Sequence, residues 1–317
     1  MPSDDASLKI GVSKCLLGES VRHDGAHKRN TFVVDVLGPF VQWVPVCPEV
    51  EAGLGVPREP MHLEEGDDGI RIVTNSSGVD HTEKIKKFAD RRVEELAQDK
   101  LSGFVLKSGS PSCGLQVQIQ TSKGDGRPGK GLFAETLLER LPALPVVEEA
   151  DLSDPASRQG FVERAFAYRR LMDYCEEERS VGQFAMFHAQ GRLQVEAHSP
   201  EGYEGLTKFI SGAKDLSWNE LCNQYAPRFM DAISEPLDAP RHYQVMKDVA
   251  SDLKDDLDSA AYKEIAFALQ DYRKGNLPLS VPLTLIRHYV RLTESPRHNG
   301  QSYLEPGPKE LALRVQV

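Results

Sequence analysis

The sequence has no uncharged run of about 18 residues, the length that a membrane-spanning helix needs. Its first residues are polar and acidic, and no basic segment leads into an apolar stretch, so we expect no signal peptide and a cytoplasmic location. Excess positive charge is also missing: the net charge is −10, with −7 on residues 1–155 and −3 on residues 156–317. Neither half therefore has the basic stripe that is typical of nucleic-acid-binding proteins.

Cysteine is scarce, with five residues and no Cys-x-x-Cys pair. An odd number of cysteines in a cytoplasmic chain argues against a disulfide framework. A structural zinc site usually has four ligands, often in such close pairs, so the spacing does not indicate one. Cysteines scattered in this way favour a role in metal binding or catalysis.

What is present is the composition of a globular protein, with 40% hydrophobic and 27% charged residues. The 317 residues predict two domains, because single domains usually have about 150 residues. Strand-like and helical segments alternate before residue 156, whereas mainly helical periodicity follows it. We therefore predict one domain over 1–155 and a second over 156–317.

The first half has the pattern of an α/β domain. Short runs rich in Val and aromatic residues predict strands at 8–13, 40–46 and 103–106. Apolar residues with helical spacing predict an amphipathic helix over 80–99. A short helix over 131–140 and a further strand follow. The alternation predicts a Rossmann-like fold with a mostly parallel sheet and helices on both faces.

The second half is predicted to be all-α. The predicted helices cover 156–178, 181–190, 203–211, 217–233, 241–271 and 281–293. Ser199 and Pro200 are typical of the cap and the first residue of a helix. We expect the stretch 295–317, which is rich in Pro and Gly, to pack back on the surface of this domain.

Three cysteines, Cys15, Cys47 and Cys113, each follow a predicted strand. The carboxyl ends of parallel strands meet at the edge of the sheet where such folds bind ligands, so three distant thiols can meet in one cleft. Cys175 and Cys222 lie inside predicted helices of the other half, and we interpret them as small buried hydrophobic residues.

Three converging thiolates allow two interpretations. Around a four-iron cluster they would leave one iron without a protein ligand, and that iron would be a Lewis acid open to substrate. Alternatively, the three residues are unrelated buried cysteines. Spacing alone does not decide between these interpretations.

Longer motifs surround these cysteines. The first half contains, in order, SKCLLGESVRHDGAHK, VPVCPEVEAGLGVPREP, KSGSPSCG and GKGLFAETLLE. In these motifs, over about residues 8–150, the chain resembles the TudS-type 2-thiouracil desulfidases. The second half contains HSPEGY, RHYQVMKDV, DYRKGNLPLSVPLTLIRHYVR and YLEPGPKEL, and from about 160 to 317 it is similar to the YbgA-like domain. The chain thus resembles a fusion of the two.

The resemblance implies a [4Fe-4S] cluster held by Cys15, Cys47 and Cys113. It also implies an enzyme that converts 2-thiouracil, or a related thionated nucleobase, to uracil and sulfide without redox chemistry. The thiocarbonyl sulfur binds the open iron, water replaces the sulfur at carbon, and sulfide leaves. The acidic residue of the family's CPE motif falls on Glu49, and the first serine of its SPSC motif falls on Ser110. Both are candidate catalytic residues.

The residue types suit this chemistry. A soft thiocarbonyl sulfur prefers a soft metal site, such as iron ligated by sulfur. A carboxylate two residues after a cluster ligand is well placed to accept a proton from attacking water; Glu49 has this position, and Glu51 is a nearby competitor. Ser110 could orient the ring or the water by hydrogen bonding.

Several cations occur in the same motifs, namely Arg22, Lys28, Arg58 and Lys107. They could hold an anionic group or balance the charge of a cluster, or they form surface ion pairs of about 0–1 kcal/mol each. The segment GDGRPGK, residues 124–130, lacks the pattern of a phosphate-binding loop, and we interpret it as a hairpin or loop.

Other functions stay open. The same cluster could act on a thionated nucleoside, nucleotide or tRNA fragment. The helical half could instead bind a nucleic acid or a partner protein, with the first half as a metal sensor. A zinc-stabilised scaffold is a third alternative. The sequence assigns neither an oligomeric state nor a role to residues 156–317.

Overall fold

The computed structural model describes residues 8–121, 124–235, 237–305 and 307. The described chain forms two compact units, which divide between Arg169 and Arg170. The division falls inside the helix Pro155–Cys175, and the predicted boundary at residue 155 lies at the start of this helix.

The described part of the first unit contains eight strands and four α-helices, besides short 3₁₀ and π turns. The strands are β1 (Leu8–Ser13), β2 (Val41–Val46), β3 (Met61–Gly66), β4 (Gly69–Thr74), β5 (Gly103–Leu106), β6 (Val117–Gln120), β7 (Arg127–Gly129) and β8 (Val146–Glu148). The helices are α1 (Pro48–Glu51), α2 (Thr82–Gln98), α3 (Leu132–Arg140) and α4 (Pro155–Cys175), which continues into the second unit.

The main sheet has the order β2-β1-β5-β8, with all neighbours parallel. Successive residues of a strand point to opposite faces, and β5 shows this directly. Phe104 packs with Phe88 of α2 and Phe133 of α3, whereas Val105 packs with Phe161 of α4 on the other face. Helices therefore cover both faces, and the Rossmann-like prediction is confirmed.

A second sheet, with the order β4-β3-β6-β7, was not predicted. The strands β6 (VQIQ) and β7 (RPG) are short and carry polar residues, so their periodicity is weak. The strand β4 (GIRIVT) is six residues long and has a strand pattern that the prediction missed. A small core of buried residues holds this sheet against α2 and α3: Leu63, Ile72, Ile85, Ile119 and Leu132. The segment 124–130 contains β7, which pairs antiparallel with β6, as the hairpin interpretation expects.

The second unit is helical in its described part, as predicted. After the end of α4 it contains α5 (Val181–Gln190), α6 (Arg192–His198), α7 (Pro200–Gly212), α8 (Trp218–Ala232), α9 (Ala239–Asp252), α10 (Ser259–Arg273) and α11 (Ser280–Leu292). Ser199 caps α7 by accepting a hydrogen bond from Gly202 N, and Pro200 is its first residue, which confirms the predicted helix start.

Two helix predictions in this unit were wrong. The segment 241–271 is two helices rather than one, because Asp258 accepts hydrogen bonds from Ala260 N and Ala261 N and so starts α10 afresh. The short helix α6 was missed, since its seven residues are nearly all buried or half-buried and show no amphipathic stripe.

The C-terminal stretch packs back on the second unit over its described residues. Gln301 accepts a hydrogen bond from Leu193 N at 3.1 Å, and the Tyr303 hydroxyl lies 2.9 Å from Nδ1 of His242. The prediction for 295–317 is thus confirmed for these positions, and its last part lies outside the described residues.

Cys175 and Cys222 are joined by a disulfide, which corrects their interpretation as separate buried hydrophobic residues. Cys175 is the last residue of α4, and Cys222 lies in α8. The two residues are 47 positions apart, so only the packing of these helices brings their sulfur atoms together.

Within the described chain, no helix combines the length and the apolar character that a membrane span requires.

Candidate active site

The three remaining cysteines are free, buried, and line one cavity of about 220 Å³ in the first unit. Cys15 follows β1, Cys47 follows β2, and Cys113 lies in the loop after β5. The cavity therefore lies at the carboxyl edge of the parallel sheet, where this topology gathers its loops. Glu49 and Ser110, the two candidate catalytic residues, line the same cavity.

Two of the cysteine loops are fixed by hydrogen bonds to their backbone. Cys15 O accepts from Lys28 N at 2.9 Å in a short 3₁₀ turn that ends at Gly18, whose φ of 97° suits glycine. Cys47 is the N-cap of α1, and its own N–H donates to Oε1 of Glu51 at 2.8 Å.

The loop that carries Cys113 is held by Ser110 and by the start of α3. The Ser110 hydroxyl oxygen accepts from Cys113 N at 3.2 Å and from Ser112 N at 3.3 Å. Phe133 N, in the first turn of α3, donates to Ser112 O at 3.0 Å. Gly131 permits this approach, because a Cβ there would lie 2.5 Å from the Ser112 carbonyl carbon.

The cavity walls disfavour free thiolates. Burial raises the pKa of Cys15 to about 11 and also raises the pKa of Cys47 and of Cys113. The thiols influence one another as well, since a charge on Cys47 raises the pKa of both Cys15 and Cys113. Lys107 and Arg22 lower the pKa of Cys15, but burial has the larger effect, so near neutral pH these groups are protonated thiols and binding a metal would release their protons.

The donor set fits an iron–sulfur cluster. No group of three or more His, Cys, Asp or Glu side chains in the described part of the chain is arranged to hold a metal ion. A [4Fe-4S] cluster makes a different demand, because each cysteine binds a separate iron. Three buried, free, soft thiols around one cavity meet this demand, and they leave one iron position without a cysteine.

Glu49 is held by two partners. The Arg58 guanidinium donates to its Oε2 through Nε at 2.8 Å and also through Nη2, and the Ser112 hydroxyl donates to Oε1 at 3.0 Å. The side chains of Glu49 and Arg58 are only 12% and 8% exposed. The carboxylate is thus paired, oriented and at the cavity wall.

Glu49 and Glu51, the two candidates for accepting a proton from water, have different surroundings. Glu51 accepts from Cys47 N and from Nζ of Lys14 at 3.0 Å, and it is not among the residues that line the cavity. Its position indicates that it stabilises the start of α1, whereas Glu49 faces the cavity. Ser110 uses its oxygen to accept two backbone N–H groups, so its own hydroxyl proton is left to donate to a ligand.

The predicted cations have different surroundings. Arg58 is buried against Glu49, so it is no surface ion pair. Lys107 lines the cavity and donates to Glu149 and to Ser108. Arg22 also lines it and pairs with Asp24 at 3.3 Å, whereas Lys28 is not a lining residue.

Two acidic residues near the site were missed. Glu149 accepts from Lys107 and from Ser108 N at 2.6 Å, and Glu148 accepts from Leu115 N at 2.6 Å, which anchors the chain just after Cys113. Both stand at the carboxyl end of β8. The cysteines were selected because they follow the carboxyl ends of parallel strands, and the same criterion applied to β8 would have selected these two glutamates.

Comparison with known proteins finds a matching family model for each half of the chain. A family model described as 2-thiouracil desulfurase matches residues 10–149, and one described as a protein of unknown function, DUF1722, matches residues 192–308. The chain is 30% identical to the uncharacterized protein YbgA of Escherichia coli K12 over 154 residues, which cover 48% of this chain and 90% of YbgA. The chain therefore belongs with YbgA, and its residues 10–149 match the 2-thiouracil desulfurase family. This confirms the resemblance seen in the sequence motifs.

Two further relatives were found. The uncharacterized protein YbbK of Bacillus subtilis 168 is 29% identical over 151 residues, which cover 46% of this chain and 98% of YbbK. A solved structure of TudS, a [4Fe-4S]-dependent thiouracil desulfidase, is 33% identical, covers 46% of this chain and 94% of its own, and superposes with a TM-score of 0.40.

Proposed function

We propose that this protein hydrolyses the carbon–sulfur double bond of 2-thiouracil, or of a related thionated pyrimidine. The products are uracil and sulfide, and no electrons are transferred. The observation that carries the proposal is the meeting of three free cysteines, each from a different loop, with Glu49 and Ser110 in one cavity. The family match over residues 10–149 supports it.

In this proposal Cys15, Cys47 and Cys113 hold a [4Fe-4S] cluster. When bound, the cluster supplies a Lewis acid, because one iron has no protein ligand and a soft thiocarbonyl sulfur prefers such a metal. The burial of the three thiols suits this role, since low polarity around them limits competing water.

The residues of the chain carry the proton chemistry. Glu49 accepts a proton from the attacking water while the new carbon–oxygen bond forms at the carbon of the thiocarbonyl. Ser110 donates its hydroxyl proton to an acceptor atom of the ring and so orients the base. The carbon–sulfur bond then breaks, and the sulfur leaves as sulfide with the protons that water supplied.

The test uses protein prepared and reconstituted without oxygen. Iron and acid-labile sulfide are measured first, and about four of each per chain are expected. The loaded protein is then given 2-thiouracil, and the released sulfide and uracil are quantified. Equal amounts of the two products are expected. Fully loaded protein that releases no sulfide from 2-thiouracil would overturn the proposal for this base, and parallel assays with the thionated nucleoside would show whether the substrate is larger.

A further inference from the structure

Arg58 has more partners than an ion pair with Glu49 requires. Its Nη1 donates to Val21 O at 3.0 Å and to Gly55 O at 2.9 Å, in addition to the bonds of Nε and Nη2 to the carboxylate. A buried guanidinium with this many acceptors is fixed in its plane. It also connects Val21 with Glu49 and Gly55, which lie much later in the sequence.

The bonds continue beyond the carboxylate. Oε1 of Glu49 accepts from the hydroxyl of Ser112, which is fully buried. We refer to Arg58, Glu49 and Ser112 as the polar chain. It touches Val21 in the loop after Cys15, contains Glu49 two residues after Cys47, and ends at Ser112, directly before Cys113.

The polar chain therefore contacts all three loops that carry a free cysteine. Other bonds act within one loop, as those of Ser110 to the Cys113 backbone do, or join two loops, as the pair of Lys14 with Glu51 does, but none of these reaches all three loops. Loss of Arg58 would leave a buried carboxylate without its cation and the Val21 carbonyl without this donor. Lysine could not replace Arg58, because an ammonium group lacks the planar fork that reaches the carboxylate and two carbonyls together.

We propose that Arg58 is a positioning residue, which fixes the carboxylate plane of Glu49 and holds the three cysteine loops in place relative to one another. Its effect on turnover rests on the proposed function, whereas its effect on the loops does not. Arg58 acts through Glu49 and Ser112 and is not itself a group that reacts.

The first experiment measures amide hydrogen exchange by mass spectrometry in the full chain without cluster, so that it is independent of activity. Arg58→Ala is expected to speed exchange about tenfold in three separate segments, 16–25, 47–54 and 110–115. The matched control is Arg140→Ala, which removes an exposed arginine–carboxylate pair with Asp90 in the same unit, outside the cavity and outside the three segments. Faster exchange confined to 55–59, or equal changes in both variants, would refute the positioning of the loops.

The second experiment measures sulfide release by cluster-loaded protein with matched iron content. Arg58→Lys is expected to lower kcat about 100-fold with little change in KM, because misplacement of a reacting group affects the rate more than binding. Guanidinium ion, at concentrations that leave the wild type folded, should restore part of the activity of Arg58→Ala but not that of Glu49→Ala.

The outcomes separate the two proposals. A loaded wild type that is inactive counts against the proposed function, and the exchange data still decide the role of Arg58. An active wild type with an equally active Arg58→Lys variant would refute the positioning of Glu49 by Arg58.

Discussion

The two units use cysteine in opposite ways. In the first unit three cysteines stay free, although they line one cavity, because each is held by its own loop at the edge of the sheet. In the second unit Cys175 and Cys222 lie on two packed helices and form a disulfide. Cysteines on loops at a sheet edge are available for ligands, whereas cysteines on packed helices join the scaffold.

Two sets of buried polar groups show a similar contrast. Around the cavity they are charged pairs, as in Arg58 with Glu49 and Lys107 with Glu149. In the second unit His188 is buried and makes neutral contacts, with the Tyr225 hydroxyl at 3.0 Å and the Thr207 hydroxyl at 3.0 Å. Charged pairs near a cavity indicate chemistry, and a satisfied neutral cluster in a core indicates structure.

The largest effect is expected from the free cysteines. Cys113→Ser should lose nearly all iron and labile sulfide after anaerobic reconstitution, because a serine hydroxyl is a poor substitute for a thiolate on iron. The matched variant in the other unit, Cys222→Ser, should keep the wild-type content. The iron content of the two variants is measured side by side. Equal loss of iron from both would contradict the assignment of cluster binding to the cysteines of the first unit alone.

The next effect separates the two glutamates of α1. Glu49→Gln should keep its iron and lose about 10²–10⁴-fold in kcat, as expected for removal of a general base. Glu51→Gln keeps an oxygen that can accept from Cys47 N, so its kcat should stay within a few-fold of the wild type. Steady-state sulfide release measures both, and the reverse order would assign the proton transfer to Glu51.

A smaller effect is expected from the disulfide. Replacement of both Cys175 and Cys222 by Ser should destabilise the second unit by about 2–4 kcal/mol, because the bond closes a loop between residues 47 apart. Each unit has one tryptophan, so Trp218 reports on the second unit alone in a Trp43→Phe background. Thermal unfolding is followed by its fluorescence.

The control for the disulfide is a reductant. It should lower the melting temperature of the Trp43→Phe protein to that of the variant without the two cysteines, and it should leave that variant unchanged. A melting temperature that does not respond to reduction or to the substitutions would show that the bond contributes nothing to the stability of this unit.

The smallest effect concerns acid stability. Burial lowers the pKa of His188 to about 4, so the folded second unit binds this proton less readily than the unfolded chain. Its contribution to stability is complete above the ordinary histidine pKa of about 6.5 and is lost as the pH falls from there towards about 4. Tyr203 and Tyr225 contact the ring, but burial raises their pKa, so they stay neutral in this range.

The measurement is the melting temperature against pH, again from Trp218 fluorescence. His188→Gln should be less stable than the wild type near pH 7 and should lose less stability between pH 6.5 and 4. Parallel curves for the two proteins would exclude His188 as a source of acid sensitivity.

Local sequence predicted the elements that have a strong pattern. The strands β1, β2 and β5 and the amphipathic helix α2 agree with the predicted ranges within about two residues, because hydrophobic periodicity reflects which face is buried. In the second sheet β6 and β7 were missed because they are short and polar and are held by their neighbours rather than by their own pattern. The strand β4 (GIRIVT) has a strand pattern of its own, which the prediction did not use.

The sequence by itself determined the two-part organisation, the class of each part, and the position of three cysteines directly after strands. These follow from periodicity and from neighbouring residues along the chain. Only the tertiary structure decided the rest: the bond from Ser112 to Glu49 spans 63 residues, and the disulfide spans 47. Such contacts have no local signal, because they depend on how sheet and helices pack and not on the residues beside them in sequence.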